Sequence, residues 1–239
     1  LKYGARLLNS VIGDNSTVSC CELLNNLIFP FHEQHHNSSF LIATTIMGQS
    51  NIAAGSTIGS NHNSRSPDGE IIAGRGFWPG LCSDFKHNSK FASFSLISKG
   101  SYQQELNICY PFSLVAPGKD SSNAINIIPA WWFMYDMFAI VRNRYKFKKR
   151  DKRAVKIQNI EMDPLAPDTM QEVLAAIARI IELTQAKLAD FGKTFDSSEQ
   201  VDVRQIAKDY LHQHSEEDFE LFDRLCQKKY GAVIIKPTK

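Results

Sequence analysis

Ile46-Met47-Gly48-Gln49-Ser50-Asn51, Ile52-Ala53-Ala54-Gly55-Ser56-Thr57 and Ile58-Gly59-Ser60-Asn61-His62-Asn63 follow one another without a break. A branched residue opens each block, a small residue often follows it, and Ser stands fifth in the first two. Neither a helix, with its period of about 3.6, nor a strand alternating every second residue asks for this spacing. A coil that turns a corner every six residues does, because one side chain per face then points at a narrow axis. Hexapeptide periodicity is the mark of a parallel β-helix.

The lattice extends to both sides. Upstream it reads Ile12, Val18 and Leu24, fails at Pro30, and resumes out of step at Phe40. This slip predicts a loop insertion near residues 29–39, containing Phe31-His32-Glu33-Gln34-His35-His36-Asn37. A second slip follows Ile58 and predicts an insertion near residues 61–70. Beyond it the phase reads Ile72, Trp78, Leu96, Tyr102, Ile108 and Leu114, with Asp84 and Lys90 as misfits. Trp78 and Tyr102 are large for the axis of such a coil. A sandwich of short strands is the competing reading, but matching runs on both sides of the slips favour the coil. In solenoids, insertions gather on one face, often the binding face.

The 239 residues suffice for one large domain or two small ones. No apolar run approaches the roughly 20 residues of a membrane span, and Leu1 to Ser10 lacks the pattern of a signal peptide. A cytoplasmic protein is therefore expected. The repeat begins almost at Leu1, which predicts further coils or another domain upstream. The five Cys (Cys20, Cys21, Cys82, Cys109, Cys226) are odd in number and form no C-x-x-C pair. That argues against a disulfide framework or a zinc knuckle.

Net charge is +2 but unevenly spread. Arg142 to Lys156 carries nine basic residues against Asp151, and the remainder is acidic. Pairing of this run with the chain's own acidic residues is favoured over a phosphate-rich partner. Only Tyr145 and Phe147 interleave with the charges, so no nucleic acid is expected.

The second half reads as helical. Pro129 suits a helix start, and Trp131-Trp132-Phe133-Met134-Tyr135-Asp136-Met137-Phe138-Ala139-Ile140 is apolar on nearly every side, which predicts burial across the end or flank of the coil. Pro167-Asp168-Thr169-Met170-Gln171 predicts another start, with Asp168 as N-cap and Gln171 reaching back. Its core face would be Val173, Ile177, Ile180, Ile181, Thr184, Leu188 and Phe191, with Gly192 as the stop. Further helices are expected after Ser197 and Ser215.

Two places can carry chemistry. His32-Glu33-Gln34-His35-His36 matches H-E-x-x-H, but Pro30 and Asn37-Ser38-Ser39 around it argue against the helix that a zinc protease needs. His32, His35 and His36 remain a candidate metal site, although a bound metal is not expected overall. The second slip, with Gly74-Arg75-Gly76-Phe77-Trp78-Pro79-Gly80 after it, gathers Asn61, His62, Asn63, Arg65, Glu70, Arg75 and Trp78. His62 is a candidate general base, and Arg65 or Arg75 a phosphate ligand. Nucleotide loops of the G-x-G-x-x-G or G-x-x-x-x-G-K-[ST] type and the G-x-S-x-G elbow are absent.

At these residues the chain resembles the hexapeptide-repeat, left-handed β-helix superfamily, which includes trimeric acyltransferases acting on sugars, amino acids and antibiotics. The segments from Phe31, Gly59 and Gly74 quoted above, with Trp131-Trp132 and Ala166-Pro167-Asp168-Thr169, look more closely like an uncharacterised bacterial family of unknown function within it. Some of its members are labelled UDP-N-acetylglucosamine pyrophosphorylase-related. The resemblance implies a mainly β fold: a left-handed parallel β-helix over residues 1–120, then a helical segment over 121–239 packing on or capping it. It implies acyl transfer to a sugar-like small molecule, with acetyl-CoA or another acyl carrier as co-substrate and assembly as a homotrimer. His62, and second His36, are the positions matching the superfamily's catalytic His. The alternatives are a non-catalytic assembly or ligand-binding module of a larger sugar-nucleotide protein, and a metal site at the His loop, whose spacing departs from the superfamily's carbonic-anhydrase-like branch.

Overall fold

The computed structural model describes residues 1–59, 70–118 and 124–189. Short parallel strands stack into three faces. The first is a six-stranded sheet from Arg6–Leu8 to Ser101–Tyr102, and the second a six-stranded sheet from Val11–Ile12 to Asn107–Ile108. The third is interrupted. Thr17–Val18 pairs with Glu33–Gln34, a single bridge joins Glu33 to Asn51, and Trp78–Pro79, Leu96–Ile97 and Leu114–Pro117 continue it. Ile125–Ile128 closes this face antiparallel, so strand pairing ends a little beyond the expected boundary at residue 120. This is a parallel β-helix followed by a helical segment, as the hexads predict.

The repeat has a local cause at each corner. Leu41, Ile46, Ile52, Ile58, Phe85, Phe91 and Ile97 point inward and are almost wholly buried. Three residues before each of these stands a left-handed residue: Ser38, Ala43, Gln49, Gly55, Cys82, Asn88 and Phe94. That conformation turns the chain but costs a residue with a Cβ roughly 1–2 kcal/mol, so small residues, Asn and Gly suit it. Two residues before the inward position Ser recurs, and its hydroxyl donates to a carbonyl three residues back. Ser83 donates to Gly80 (2.9 Å), Ser89 to Lys86 (2.8 Å) and Ser95 to Ala92 (2.7 Å). Each hexad thus holds a turn residue, a hydroxyl that satisfies the turn, and a core residue.

The lattice differs from the expected one in two ways. After the second slip the inward set is Ala73, Pro79, Phe85, Phe91, Ile97, Tyr102, Ile108 and Val115. The phase read from Ile72, Trp78, Leu96 and Leu114 is one residue early, and Asp84 and Lys90 cease to be misfits once Phe85 and Phe91 are seen as the core residues. Phenylalanines fill the axis here, with Phe77 and Phe91 at 4.8 Å and Phe85 stacked on Tyr102 at 5.2 Å. The stretch 29–39 is not an added loop: Glu33–Gln34 is a third-face strand, and Cys21 pairs with Ser39 across an ordinary coil. The apparent slip arises because early coils are shorter, Arg6 pairing with Glu22. The second slip is a real insertion. Thr57 pairs with Asp84, and Thr45 with Ile72, each 27 positions on, so the extra residues enter between Ile58 and Ile71.

The helical segment docks along one corner, where the second face turns into the third. Successive residues in this column are Asn15, Phe31, Gln49, Gly76, Phe94 and Phe112, all with positive φ. Asn15 donates to Asp151 (2.9 Å), Phe31 packs on Phe147 (5.1 Å), and Gln49 donates to the carbonyl of Glu161. Phe94 and Phe112 stack at 4.8 Å, with Trp132 edge-on to Phe94 at 6.0 Å. The first helix, α1 (Trp131–Tyr135), starts after Ala130, itself left-handed, and α2 (Met137–Arg150) begins beyond a break at Asp136. The aromatic stretch is thus two helices rather than one, and it is not buried all round. Trp132, Ala139, Ile140 and Phe147 face the coil, while Met134, Met137, Phe138 and Val141 are exposed.

The third helix, α3 (Pro167–Ala189), begins where predicted, but Asp168 is not its N-cap. Its carboxylate takes Arg75 instead, with Nε at 2.7 Å and Nη2 at 2.9 Å. Thr169 and Ala176 are buried against the coil, whereas Ile177, Ile180 and Leu183 are exposed. Phe191, Gly192 and the helices expected after Ser197 and Ser215 lie outside the described residues. No helix among those described is long and apolar enough to cross a membrane.

Candidate functional site: a basic cleft under the second helix

The third face is thinnest at Ser50–Asn51, where a single bridge replaces a strand pair. Helix α2 lies over this gap and leaves a cleft of about 270 Å3. From the coil come Glu33, His35, Gln49, Ser50, Asn51, Gly76 and Trp78. From the helices come Trp132, Arg142, Asn143, Lys146, Phe147 and Arg150. Arg142, Lys146 and Arg150 are four residues apart, the spacing that aligns side chains on one helix face. Phe147 anchors that face to Phe31, so the three cations overhang the coil.

Glu33 is the carboxylate among these lining residues, and it holds two of the cations. Lys146 Nζ donates to Oε2 at 2.6 Å and Arg150 Nη1 to Oε1 at 2.8 Å. Lys146 and Glu33 are mostly shielded from solvent, which makes their pair the stronger one, whereas the exposed Arg150 contributes little. Arg142 has no ion pair among the described residues, and the side-chain amides of Asn51 and Asn143 have no hydrogen bond there. Trp132 is 1% exposed, and its indole N–H has no acceptor among the described residues. Trp78, half-buried, lies 6.0 Å from it. Cations, amide groups and indole surface therefore border one small space.

The sequence-based candidates fare differently. His62, Asn61, Asn63 and Arg65 lie outside the described residues. Glu70 is exposed just before the strand Ile71–Ala73. Arg75 is buried and committed to α3. Besides Asp168 it reaches the Asp163 carbonyl at 3.0 Å, so Nε and Nη2 dock the helical segment, while Nη1 is buried with no partner among the described residues. Burial raises the Asp168 pKa, but Arg75 outweighs it and holds the carboxyl below its ordinary value. Trp78 does reach the cleft.

His32, His35 and His36 are not brought together as ligands. The His32 ring is fully buried, with Nδ1 2.8 Å from the Ser50 hydroxyl and Nε2 3.2 Å from the Gln34 side chain. Burial lowers its pKa to about 4, so it is a neutral structural residue at pH 7. His36 is exposed and its ring lies against His35 at 4.4 Å, while His35 borders the cleft. Among the described residues no three His, Cys, Asp or Glu side chains converge as a metal site would need. The expected pairing of the basic run with the chain's own acids is partly realised: Arg144 meets Asp163, and Arg153 and Lys156 meet Asp151.

Sequence reasoning missed Glu33 as an anchor and Arg142, Lys146, Arg150, Asn51, Asn143 and Trp132 as lining residues. The four-residue spacing inside the basic run was the available signal. What it lacked was the coil surface that this face overhangs.

Over 193 residues, 81% of its length, the chain is 54% identical to an uncharacterized protein of Treponema pallidum (strain Nichols). It spans 26% of that relative, so about three quarters of the relative has no counterpart in this chain. No family model matches the chain, and no solved structure does.

Proposed function

We propose that the chain is a ligand-binding β-helix module and that the cleft under α2 takes a small anionic ligand. One observation carries this reading: the cleft has three cations against one carboxylate, and Arg142 is left without an ion-pair partner among the described residues. A concave site with excess charge of one sign concentrates ions of the other. The reading keeps the sugar-like small molecule expected from the sequence and the setting of a binding module within a longer sugar-nucleotide protein. A thermal shift of the purified chain with UDP-N-acetylglucosamine and, in parallel, acetyl-CoA tests it. A ligand bound only by the folded state stabilises by about 2.7 kcal/mol at a hundredfold excess over its dissociation constant. A raised midpoint with either compound, lost in Arg142→Gln, is expected. No shift with either compound, nor with glucose 1-phosphate, contradicts the reading.

Acyl transfer with His62 as general base is the second reading, and a homotrimer with an acyl carrier between subunits belongs to it. It is favoured by the entry of the extra residues at one corner, between Ile58 and Ile71, since solenoid insertions often build binding faces. The assay is acyl transfer from acetyl-CoA to amino-sugar acceptors. His62→Ala would lower the rate by about a hundredfold or more without moving the thermal midpoint. Unchanged turnover in the folded variant would sink this role.

A further inference from the structure

Resting on the anion-binding reading, and narrowing it, we infer that the cleft recognises a phosphorylated monosaccharide. The phosphate would sit between Arg142 and the indole N–H of Trp132, and the sugar hydroxyls on Asn51 and Asn143.

Four observations converge. The first is the unpartnered indole. Buried polar groups nearly always find a partner, and an unsatisfied donor costs about 1–3 kcal/mol. Trp132 is fully packed in the docking platform with Phe94 and Phe112, yet its N–H has no acceptor among the described residues, and the residue lines the cleft. The N–H is closed to solvent, so a ligand oxygen reaches it only as the indole shifts on binding, and that contact removes the penalty. The second is the charge. Glu33 neutralises part of the charge of Lys146 and Arg150, while Arg142 remains free to make the paired N–H contacts for which guanidinium suits phosphate.

The third is the neutral lining. Asn51 from the coil and Asn143 from α2 each offer both a donor and acceptors, and neither side chain is bonded within the described chain. Such groups match hydroxyls, which need both roles, rather than a hydrocarbon or a bare inorganic ion. Trp78 adds an indole surface against which the C–H face of a sugar ring can pack. The fourth is size. At about 270 Å3 the cleft falls just below the roughly 300–1,000 Å3 of sites for drug-sized ligands. A monosaccharide phosphate suits that space, and a dinucleotide or the whole of an acyl carrier does not.

Isothermal titration of the full chain with glucose 1-phosphate, glucose and inorganic phosphate, at fixed ionic strength, tests the inference. Glucose 1-phosphate should bind most tightly, inorganic phosphate more weakly and glucose least. Arg142→Gln should weaken glucose 1-phosphate by about tenfold or more, the scale of a lost charged hydrogen bond, and reduce the salt dependence. Trp132→Phe, which keeps an aromatic ring in the platform but removes the N–H, should weaken it by about tenfold as well, with helical circular dichroism retained. Lys148→Gln, on the same helix but outside the cleft, should leave binding unchanged. Binding of UDP-N-acetylglucosamine or acetyl-CoA without glucose 1-phosphate would overturn the sugar-phosphate assignment and leave the anion reading standing. No binding by any of these anions would overturn both. Equal loss in Arg142→Gln and Lys148→Gln would mean diffuse charge attraction and overturn the placement. Because Arg142 is exposed, its variant folds even if Trp132→Phe does not.

Discussion

Ser83, Ser89 and Ser95 make the six-residue repeat intelligible at the scale of single residues. Each follows a left-handed corner residue, donates to the carbonyl three back, and precedes the inward residue by two. Gly76 occupies such a corner at φ +72, and a Cβ there would come within 2.3 Å of the Phe94 ring. Gly76→Ala therefore meets both backbone strain and a clash with the docking platform. Chemical denaturation should show a loss of about 2 kcal/mol, and a neutral result would mean the platform yields freely. His32 supplies a pH signature. Its folded pKa of about 4 lies below the ordinary 6.5, so the unfolded chain binds the extra proton in that window. The contribution is complete above pH 6.5 and is lost as pH falls towards about 4, by up to ~3 kcal/mol. Urea melts of the wild type and His32→Gln across this range should show the wild type alone carrying that slope. Parallel slopes would mean that the ring titrates normally.

At the scale of elements, helix packing depends on a few specific contacts. The first turn of α3 is fixed by Arg75 gripping Asp168, and by Glu172, whose carboxylate accepts the Ser93 backbone N–H at 2.8 Å. Because Asp168 is held below its ordinary value of 3.8, its contribution is present above that pH and is lost as pH falls through the lower folded value. Asp168→Asn should thus be less stable than wild type at neutral pH, with the gap closing below pH 3.8 in thermal melts. A gap that does not change with pH would put the effect down to packing. The break at Asp136 shows why the aromatic run was misread as one buried helix. Burial is expected from composition, but only Trp132, Ala139, Ile140 and Phe147 are buried, with Phe133 packing on Phe112 of the corner column at 4.6 Å while staying partly exposed, and hydrophobicity alone does not say which side has a surface to meet.

At the scale of the whole molecule, the coil was legible because its cause is local. A turn residue, a hydroxyl and a core residue recur within each hexad, so Ile46 to Ile58 announce the fold without tertiary information. The phase at Ile72, Trp78, Leu96 and Leu114 is one position early, while Tyr102 and Ile108 do point inward; at Asp84–Phe85 and Lys90–Phe91 an aromatic, not an aliphatic, takes the axis. Counting hexads predicts extra residues near 61–70, and the 27-position register steps fall between Ile58 and Ile71, whereas the slip at 29–39 reflects a shorter early coil. Of the cleft, Trp78 was anticipated and the spaced cations of α2 were visible but unassigned. The site is made by laying one helix across a gap in the third face, and no local pattern encodes that crossing.

Hydrogen–deuterium exchange with and without glucose 1-phosphate tests the central claim most directly, because it reports where the ligand sits as well as whether it binds. Slower exchange at residues 49–51 and 142–150, with the first face unchanged, is the result expected of a ligand held between the coil and α2. Unchanged exchange in those two segments at a saturating concentration would contradict the account.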